Sequence, residues 1–574
     1  TIEAIHEAMG DPGSGRSTWI VRPGGTDALP EPCRLHLEDG TDLGQLDRLP
    51  PDVPLGIHRL HPVGGGQAST LIVSPGRAHL PTGLRSWGVT AQVPTARSAG
   101  SWGIGDLADV RAVAEWVADL GGDLLALSPL HAPTPVHPIA PSPYFPSSRR
   151  WRSPLLIRVD EVPGGHTAEV QALGAQARAL LDDPVVDRDR CWALQRRALE
   201  RIWSARSPAN ESRMAAWRTA QGEALEGWAR FCALAERHGS SWRTWPTELR
   251  HPLAPGVAQA AAGVADRVAF HAWLQLLIDD QLEKARRVGP RLVQDLAVGV
   301  DPGGADAWLW QDLLANEFSI GAPPDDFVPE GQTWGLPPWV PWRLRDVGYR
   351  PLADLVRASL VAGGGLRIDH VMGLSRLFWV PEGGSPADGA YVRFAGRELL
   401  DVVALESARA GAVVVGEDLG TVEPAFRDEL RATGILSTRV VWFEEDPPES
   451  WPTEALAVVT THDLPTLAGM CSGQDSPPEM LANLERLVGP VSDRPSAEVT
   501  VEVHRRLGVS PAAFALATLE DVLGVIERPN VPGTTDAERP NWSVALPVPI
   551  SHLRQDDAAE AVLRAVGAGR TSPD

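Results

Sequence analysis

Three stretches of the sequence share one pattern, an apolar run that ends in acidic residues: Gly365-Leu-Arg-Ile-Asp369-His370, Val413-Val-Val-Gly-Glu417-Asp418 and Ala457-Val-Val-Thr-Thr-His462-Asp463. The apolar parts are typical of strands buried on both faces of a parallel sheet. A charge at the end of such a run is costly unless it is paired or faces an open site. In a (β/α)8 TIM barrel, the carboxyl ends of all strands meet on the face that carries the active site. The pattern therefore predicts an α/β barrel with these acidic residues at its catalytic face.

The sequence that follows Trp87 also predicts a parallel sheet. Gly88 to Val93 has the pattern of a strand, Val110 to Leu120 that of an amphipathic helix, and Asp123 to Pro129 that of a second strand. Strands that alternate with helices indicate βαβ units. Residues 185–290 are instead dense in Ala, Arg, Glu, Leu and Trp at helical spacing, which predicts a helical insertion in the barrel.

Residues 1–82 differ from the rest of the chain. They contain many Gly and Pro residues and short alternating runs such as Cys33-Arg-Leu-His-Leu and Ser69-Thr-Leu-Ile-Val. Such runs, bounded by turn residues, predict a small antiparallel β unit. We therefore expect an N-terminal β-rich domain at 1–82 and a catalytic barrel, with its helical insertion, at 83–574.

The composition and net charge argue against certain binding partners and locations for this protein. The net charge of −22 at pH 7 argues against nucleic acid or an anionic membrane as the main partner, since both require a basic face. The N-terminus has no apolar stretch typical of a signal peptide, and no run of about 18 apolar residues occurs. The four cysteines contain no C-x-x-C pair, which indicates reduced thiols. We expect a cytoplasmic enzyme that acts on a neutral substrate; the sequence does not indicate its oligomeric state.

Carboxylates at neighbouring strand ends suit the cleavage of a sugar bond. A retaining glycosidase uses one carboxylate as nucleophile and a second carboxyl group, ~5–5.5 Å away, as acid and then as base. A third carboxylate can stabilise the positive charge that develops in the transition state. Arg367 lies two residues before Asp369 and points to the same side of a strand, where it is expected to lower the pKa of Asp369.

Two other interpretations of these acidic residues stay open on residue chemistry alone. A single acidic residue after a strand is most often the N-cap of the next helix, although three together, two with an adjacent His, favour a functional site. A metal site is the other possibility, because carboxylate and imidazole groups are common metal ligands. Its candidate ligands are Asp369, His370, Glu417, Asp418, His462 and Asp463.

The same stretches resemble a known enzyme family. Arg367-Ile-Asp-His-Val-Met, Val415-Gly-Glu-Asp-Leu-Gly-Thr-Val and Thr460-Thr-His-Asp-Leu-Pro-Thr are similar to the three core motifs of amylomaltases, the 4-α-glucanotransferases of glycoside hydrolase family 77. The resemblance extends in order from about Leu55 to Ile550 and is weakest in the helical insertion. It implies a retaining enzyme that disproportionates α-1,4-glucans through a covalent glucosyl-enzyme. Maltooligosaccharides or starch-type α-glucans would be donor and acceptor, without a metal or cofactor.

The resemblance also implies a role for individual residues. Asp369 would be the nucleophile, Glu417 the acid/base, and Asp463 the third carboxylate. The other implied substrate contacts are Arg367 and His370 beside the nucleophile, His462 on the sugar hydroxyls, Tyr144 near the cleaved bond, and Asp325 and Trp334 in a loop over the substrate groove. The 321–342 loop, with Trp334 stacking on acceptor sugars, is the candidate lid that keeps water out.

Two functional alternatives accompany this prediction. A hydrolase of the same clan would use the same three carboxylates, and its products from maltotriose would be glucose and maltose alone. A non-catalytic glucan-binding protein would have lost the nucleophile or the acid, and neither Asp369 nor Glu417 is lost here.

Overall fold

The computed structural model describes residues 2–12, 17–324, 328–360, 364–420 and 422–570. Its strands are, in chain order, β1 (Thr18–Val21), β2 (Ala28–His36), β3 (Asp42–Arg48), β4 (Gly56–Pro62), β5 (Ser69–Val73), β6 (Ser86–Ala91), β7 (Leu124–Leu127), β8 (His131–Ala132), β9 (Ser148–Arg152), β10 (Arg291–Leu296), β11 (Phe318–Ala322), β12 (Gln332–Leu336), β13 (Gly365–Ile368), β14 (Arg376–Pro381), β15 (Ala390–Arg393), β16 (Val413–Gly416), β17 (Ser437–Val440), β18 (Ala455–Val458) and β19 (Phe514–Thr518).

Its α-helices are α1 (Ile2–Met9), α2 (Leu107–Asp119), α3 (Ala168–Arg178), α4 (Arg188–Ser204), α5 (Pro208–His238), α6 (Pro255–Ala262), α7 (Ala265–Arg286), α8 (Ala305–Leu309), α9 (Pro341–Asp346), α10 (Arg350–Leu360), α11 (Gly396–Ala410), α12 (Pro424–Thr433), α13 (Leu467–Ser472), α14 (Pro478–Val488), α15 (Ser496–Gly508), α16 (Leu519–Val522) and α17 (Asp557–Ala568). Within the described ranges, no helix is long and apolar enough to cross a membrane.

The chain forms a TIM-like barrel, which confirms the predicted fold class. The barrel consists of eight parallel strands: β6, β7, β10, β13, β16, β17, β18 and β19. The chain divides into two compact units, one formed by the described residues of 1–82 and 310–437, the other by those of 83–309 and 438–570. In the second unit β18, β19, β6, β7 and β10 pair in parallel in that order. In the first unit β13 pairs with β16, and Val415 of β16 forms a parallel bridge with Leu436, directly before β17.

The first unit begins with a five-stranded sheet in the order β1-β5-β4-β2-β3. Its core consists of apolar side chains such as Leu35, Leu60 and Leu71, which are almost completely buried. The predicted antiparallel β unit is correct for the pairs β2–β3, β2–β4 and β4–β5 but wrong for β1, which pairs with β5 in parallel. Parallel pairing requires a long connection, and the chain between β1 and β5 contains three further strands.

The same unit contains a four-stranded antiparallel sheet in the order β12-β11-β14-β15. The sequence predicts a loop throughout 321–342, and this prediction is wrong for Gln332–Leu336, which forms β12 against β11. The two strands approach closely at Gly321, where a Cβ atom would lie 2.1 Å from the carbonyl oxygen of Gln332. The pairing of β11 with β12 therefore requires a glycine at position 321.

Four helices, α4 to α7, lie in the stretch whose composition predicts helices. We call residues 188–286 the helical segment. Its interior is aromatic, with Trp192, Trp228 and Trp245 fully buried, so these tryptophans serve as core residues. Helix α5 is kinked at Gly222, whose φ of 64° favours glycine.

Candidate active site

The pairing of β13 with β16 places two of the predicted carboxylates side by side. β13 ends at Ile368 and β16 ends at Gly416, and these two residues are partners in the parallel register. Asp369 and Glu417, which follow them, therefore leave neighbouring strands at the same level. The backbone N–H of Glu417 donates to the carbonyl of Ile368 at 3.0 Å, which continues the ladder by one residue.

The Glu417 carboxylate is held by two backbone donors. The N–H of His370 donates to Oε2 at 2.9 Å, and the N–H of Leu419 donates to Oε1 at 2.8 Å. Burial raises the pKa of Glu417 and the charge of Asp418 adds to the effect, whereas Arg367 and the two backbone donors oppose it. Desolvation therefore outweighs the stabilising contacts, and the carboxyl group keeps its proton to a higher pH than an ordinary glutamate. This is the property that a general acid requires.

Asp369 forms an ion pair with Arg367. The guanidinium NH2 lies 3.0 Å from Oδ1, and both side chains are largely buried. The predicted position of Arg367 on the same side of the strand as Asp369 is thus confirmed. The ion pair fixes the orientation of the carboxylate beside Glu417.

His370 has an unusual backbone conformation. Its φ is 45° and its ψ is 57°, in the left-handed region that residues with a Cβ atom rarely adopt. Burial lowers the pKa of its imidazole and Arg376 adds to the effect, while Asp369 opposes it. The left-handed turn directs the N–H of His370 to Glu417, so the strained residue connects the two strand ends.

Trp334, on β12, packs edge to face against His370. The ring centroids are 5.2 Å apart and the planes meet at 84°. Its indole N–H donates to Oε1 of Gln332 at 3.1 Å, so the half-buried ring is fixed. The structure thus brings together five of the predicted residues: Arg367, Asp369, His370, Glu417 and Trp334. The predicted site residue Asp325 lies outside the described residues.

A second group of predicted residues lies in the other unit. Asp463, close to the end of β18, accepts a hydrogen bond at Oδ1 from the Asn530 side-chain amide at 2.7 Å. Its backbone carbonyl accepts one from Arg528 at 2.6 Å. His462 Nε2 lies 3.4 Å from Asp463 Oδ2. The third carboxylate is therefore positioned through its side chain and its backbone.

Tyr144 lies in the same group as His462. Its hydroxyl donates to Oδ2 of Asp295 at 2.7 Å and lies 3.4 Å from Nδ1 of His462. The rings of Tyr144 and His462 are 4.8 Å apart, and the Trp542 ring contacts both, at 5.3 Å and 5.0 Å. The rings of Tyr144, His462 and Trp542 therefore form one aromatic cluster, and His462 directly precedes Asp463 in the chain.

Asp418, a candidate ligand in the metal interpretation, has a structural role. Its buried carboxylate accepts hydrogen bonds from Ser437 at 2.6 Å and from Arg427 at 3.2 Å. In the part of the chain that the structure describes, no group of three or more His, Cys, Asp or Glu side chains is arranged to hold a metal ion.

Comparison with known proteins gives the family. A family model described as 4-alpha-glucanotransferase matches residues 91–550. The chain belongs to glycoside hydrolase family 77. Among its relatives, the 4-alpha-glucanotransferase of Mycobacterium tuberculosis is 40% identical and aligns with 96% of the chain and 87% of that protein. The 4-alpha-glucanotransferase of Haemophilus influenzae is 30% identical and aligns with 91% of the chain and 84% of that protein.

Solved structures agree with this assignment. The crystal structure of amylomaltase from Corynebacterium glutamicum has a TM-score of 0.85 and 31% identity, over 98% of this chain and 91% of that one. Amylomaltase from Streptococcus agalactiae, in complex with acarbose, has a TM-score of 0.71 over 84% of this chain and 98% of that one; at 19% identity it supports the fold alone. The predicted family and activity are confirmed: the chain is a 4-alpha-glucanotransferase that acts on maltooligosaccharides, and α-glucans are its substrates.

The structure adds four residues to the candidate site to which the sequence assigns no role, although Asp295 and Asn530 each begin a stretch that resembles the family. Asp295, Asn530, Arg528 and Trp542 contact the predicted residues directly. Asp295 ends an apolar run as the predicted acids do, but Gln294 interrupts that run and weakens the signal. The other three lie in a stretch with few regular elements, where periodicity carries no information.

Proposed function

We propose that this glucanotransferase works by double displacement, with Asp369 as nucleophile and Glu417 as acid/base. The observation that carries the proposal is the β13–β16 register, which brings the two carboxyl groups to adjacent strand ends. Their environments differ in the way the chemistry requires. Asp369 is paired with a guanidinium, whereas burial raises the pKa of Glu417.

In the first step, the carboxyl group of Glu417 gives its proton to the glycosidic oxygen while the carboxylate of Asp369 attacks the anomeric carbon. The bond between this carbon and the glycosidic oxygen breaks, and the leaving glucan departs with a free 4-hydroxyl group. The products are a covalent glucosyl ester on Asp369 and an ionised Glu417.

In the second step, the 4-hydroxyl group of an acceptor glucan replaces the leaving chain. Glu417 takes its proton, the hydroxyl oxygen bonds to the anomeric carbon, and the ester to Asp369 breaks. One α-1,4 bond has then been broken and one made, with the same configuration. Donor and acceptor are both maltooligosaccharides or starch-type glucans in this scheme.

The remaining residues act on the transferred sugar or on the acceptor. We propose that Asp463 stabilises the positive charge of the transition state and, with His462, holds sugar hydroxyls. Tyr144, Arg367 and His370 would contact the sugar at the cleaved bond. Trp334 would stack on the acceptor, and Asp325 remains a predicted contact of the same loop.

We also propose a domain organisation for the chain and a cellular location for the enzyme. Residues 1–82 would form an N-terminal β-rich domain and residues 83–574 the catalytic barrel, with a helical insertion at about 185–290. We also propose that the enzyme is cytoplasmic, which agrees with four cysteines that are all unpaired. The net charge of −22 of the chain at pH 7 supports the proposal that neither nucleic acid nor a membrane is a partner.

A trapping experiment tests the proposed roles of both carboxylates. In Glu417→Gln, a maltosyl fluoride donor needs no protonation of its leaving group, so Asp369 can still be glycosylated, while deacylation lacks its base. We expect the peptide that contains Asp369 to gain the mass of one maltosyl unit after rapid quenching. A label on another residue, or none in a folded variant, would contradict the proposal.

Turnover of maltotriose gives the matched controls. Asp369→Asn is expected to lose activity by at least about a thousandfold, because the nucleophile is absent. Asp388→Asn removes an exposed carboxylate of the same unit and is expected to keep full activity. Wild-type products longer than maltotriose, formed together with glucose, indicate transfer to sugar.

A further inference from the structure

Trp542 has a backbone conformation that its side chain disfavours. Its φ is 62°, in the left-handed region, where the Cβ atom of a bulky residue meets steric repulsion. Besides Trp542, the described non-glycine residues with positive φ are Tyr349 and His370. His370 adjoins the proposed nucleophile. Strained residues of this kind persist where the surrounding structure determines their conformation, and they are frequent at active sites.

Two backbone contacts hold Trp542 in this conformation. Its N–H donates to the carbonyl of Pro529 at 2.8 Å. Its own carbonyl accepts a hydrogen bond from NH2 of Arg188 at 2.5 Å, and NH1 of the same guanidinium donates to the hydroxyl of Ser543 at 2.8 Å. Arg188 is buried, and burial lowers its pKa to about 10, so the group remains charged at neutral pH.

Arg188 belongs to the helical segment and is the first residue of α4. The chain directly before α4 is paired with the chain after Trp542. The N–H of Val186 donates to the carbonyl of Ser543 at 2.8 Å, and that of Ala545 donates to the carbonyl of Pro184 at 2.8 Å. The start of the helical segment is therefore fixed to the Trp542 turn by backbone pairing and by the Arg188 side chain.

The side chain of Trp542 contacts two residues of the proposed site. Its ring packs against Tyr144 at 5.3 Å and against His462 at 5.0 Å. A shift of the ring would change the position of both. On this basis we infer that Trp542 is a positioning residue for Tyr144 and His462, and that Arg188 of the helical segment holds Trp542 in its strained conformation.

The inference rests on the proposed role of Tyr144 and His462 in binding the transferred sugar. Orientation errors at a reacting sugar reduce the rate of the chemical step, since a misplacement of about 1 Å can cost about a hundredfold. Acceptor binding does not depend on these two side chains in the proposed mechanism. The inference therefore predicts a loss in kcat with an unchanged KM for a glucose acceptor.

The test compares arginine variants in the disproportionation of maltotriose with added glucose. Arg188→Met removes both guanidinium donors and keeps the length of the side chain; kcat is expected to fall at least about tenfold. Arg188→Lys keeps one donor and the charge, so kcat is expected to be partly restored. Arg206→Met is the matched control, because Arg206 also lies in the helical segment, donates to a carbonyl (Trp203, 2.8 Å) and stacks on a tryptophan ring.

Urea unfolding of every variant separates positioning from folding. If Arg188→Met does not fold, Trp542→Phe provides the second route: the smaller ring cannot reach both neighbours, and kcat is expected to fall while the KM for glucose stays constant. The inference is overturned if kcat of the folded variants stays within twofold of wild type. It is also overturned if the KM for glucose rises in parallel with the loss of kcat, or if Arg206→Met shows the same loss. An inactive Asp369→Asn beside a fully active Arg188→Met would leave the proposed mechanism intact and remove this inference alone.

Discussion

The backbone N–H of His370 donates a hydrogen bond of 2.9 Å to Oε2 of Glu417. The residue after the proposed nucleophile therefore holds the proposed acid/base, and it does so from a left-handed conformation with φ of 45°. The contact depends on the backbone of His370 and not on its imidazole. Two substitutions can separate the contributions of backbone and side chain.

His370→Asn and His370→Val both remove the imidazole, but asparagine tolerates the left-handed region and a β-branched residue does not. We expect His370→Val to have a kcat/KM about tenfold or more below that of His370→Asn, since strain of about 1–3 kcal/mol would displace the N–H from Glu417. Steady-state kinetics with maltotriose measures the difference. Equal activities of the two variants would show that the backbone conformation of residue 370 does not control the reaction.

The pH dependence of the reaction should respond to Arg367. Burial raises the pKa of Glu417, and the positive charge of Arg367 opposes this rise. In Arg367→Met the opposing charge is lost, so the carboxylate is less stable and the pKa of Glu417 rises further. Because the acid must be protonated, we expect the alkaline limb of the kcat/KM profile to move to higher pH, together with a lower maximum.

Arg376→Met is the control for this profile. Arg376 is an arginine of the same unit that pairs with Glu423 at 2.8 Å and is not among the groups that shift the pKa of Glu417. The alkaline limb of the kcat/KM profile of Arg376→Met is expected to coincide with that of the wild type. A limb that moves to lower pH in Arg367→Met would reject the assignment of Glu417 as the acid.

Strands that lie inside a barrel are the part of the fold that the sequence predicts best. β16 and β18 are buried along their whole length and are continuous apolar runs, whereas β13 is apolar except for Arg367. The acidic residues that follow mark the end of each strand. The proposed catalytic residues Asp369, Glu417 and Asp463 follow these same runs. Their neighbours in the chain, Arg367 and His462, could be predicted for the same reason.

Residues whose role depends on distant contacts could not be predicted. The four residues of β1 do not indicate that this strand pairs with β5 in parallel; the rest of the sheet determines that pairing. Trp542 is one of 21 tryptophans, and only the folded chain brings it to Tyr144 and His462. Arg188 occurs in an ordinary helical charge pattern. Nothing in that pattern indicates its hydrogen bond to the carbonyl of Trp542, which lies 354 positions away. Periodicity describes which face of an element is buried, not which residues meet across the fold.

Trp334 should influence the choice between sugar and water as acceptor. Its ring is fixed against His370 and next to the proposed nucleophile. Trp334→Ala removes the surface on which an acceptor sugar would stack, so we expect a KM for glucose at least about fivefold higher. The fraction of hydrolysis products from maltotriose should rise as well. Trp334→Phe keeps an aromatic face and is expected to lie between wild type and Trp334→Ala; an unchanged product ratio in both would exclude this role.

Removal of metal ions should not affect the enzyme. The carboxylates of the site have protein partners: Arg367 on Asp369, two backbone N–H groups on Glu417, and Asn530 on Asp463. The proposed chemistry needs only proton transfer and a nucleophile. We expect full activity after exhaustive chelation, measured with maltotriose; a loss that added divalent cations restore would favour the metal interpretation.

Arg528 should position Asp463 through the backbone. Its NH1 donates to the carbonyl of Asp463 at 2.6 Å, while Nε and NH2 form a two-point contact with Asp475 at 2.7 Å and 2.5 Å. A lysine cannot make the planar two-point contact and reach the carbonyl at the same time. In Arg528→Lys we expect kcat for maltotriose to fall about tenfold, because Asp463 is no longer held at the transition state.

Arg494→Lys is the matched control for this effect. Arg494 lies in the same unit and also bonds a carbonyl, that of Val488 at 2.9 Å, and a carboxylate, that of Glu502 at 2.5 Å, but it touches none of the proposed site residues. Both lysine variants should lose similar stability towards urea, since each loses the same kind of contact. Only Arg528→Lys should lose kcat, and Asp475→Asn should show part of that loss because it weakens the group that orients Arg528. Equal kcat in the two lysine variants would mean that Arg528 stabilises the fold without positioning Asp463.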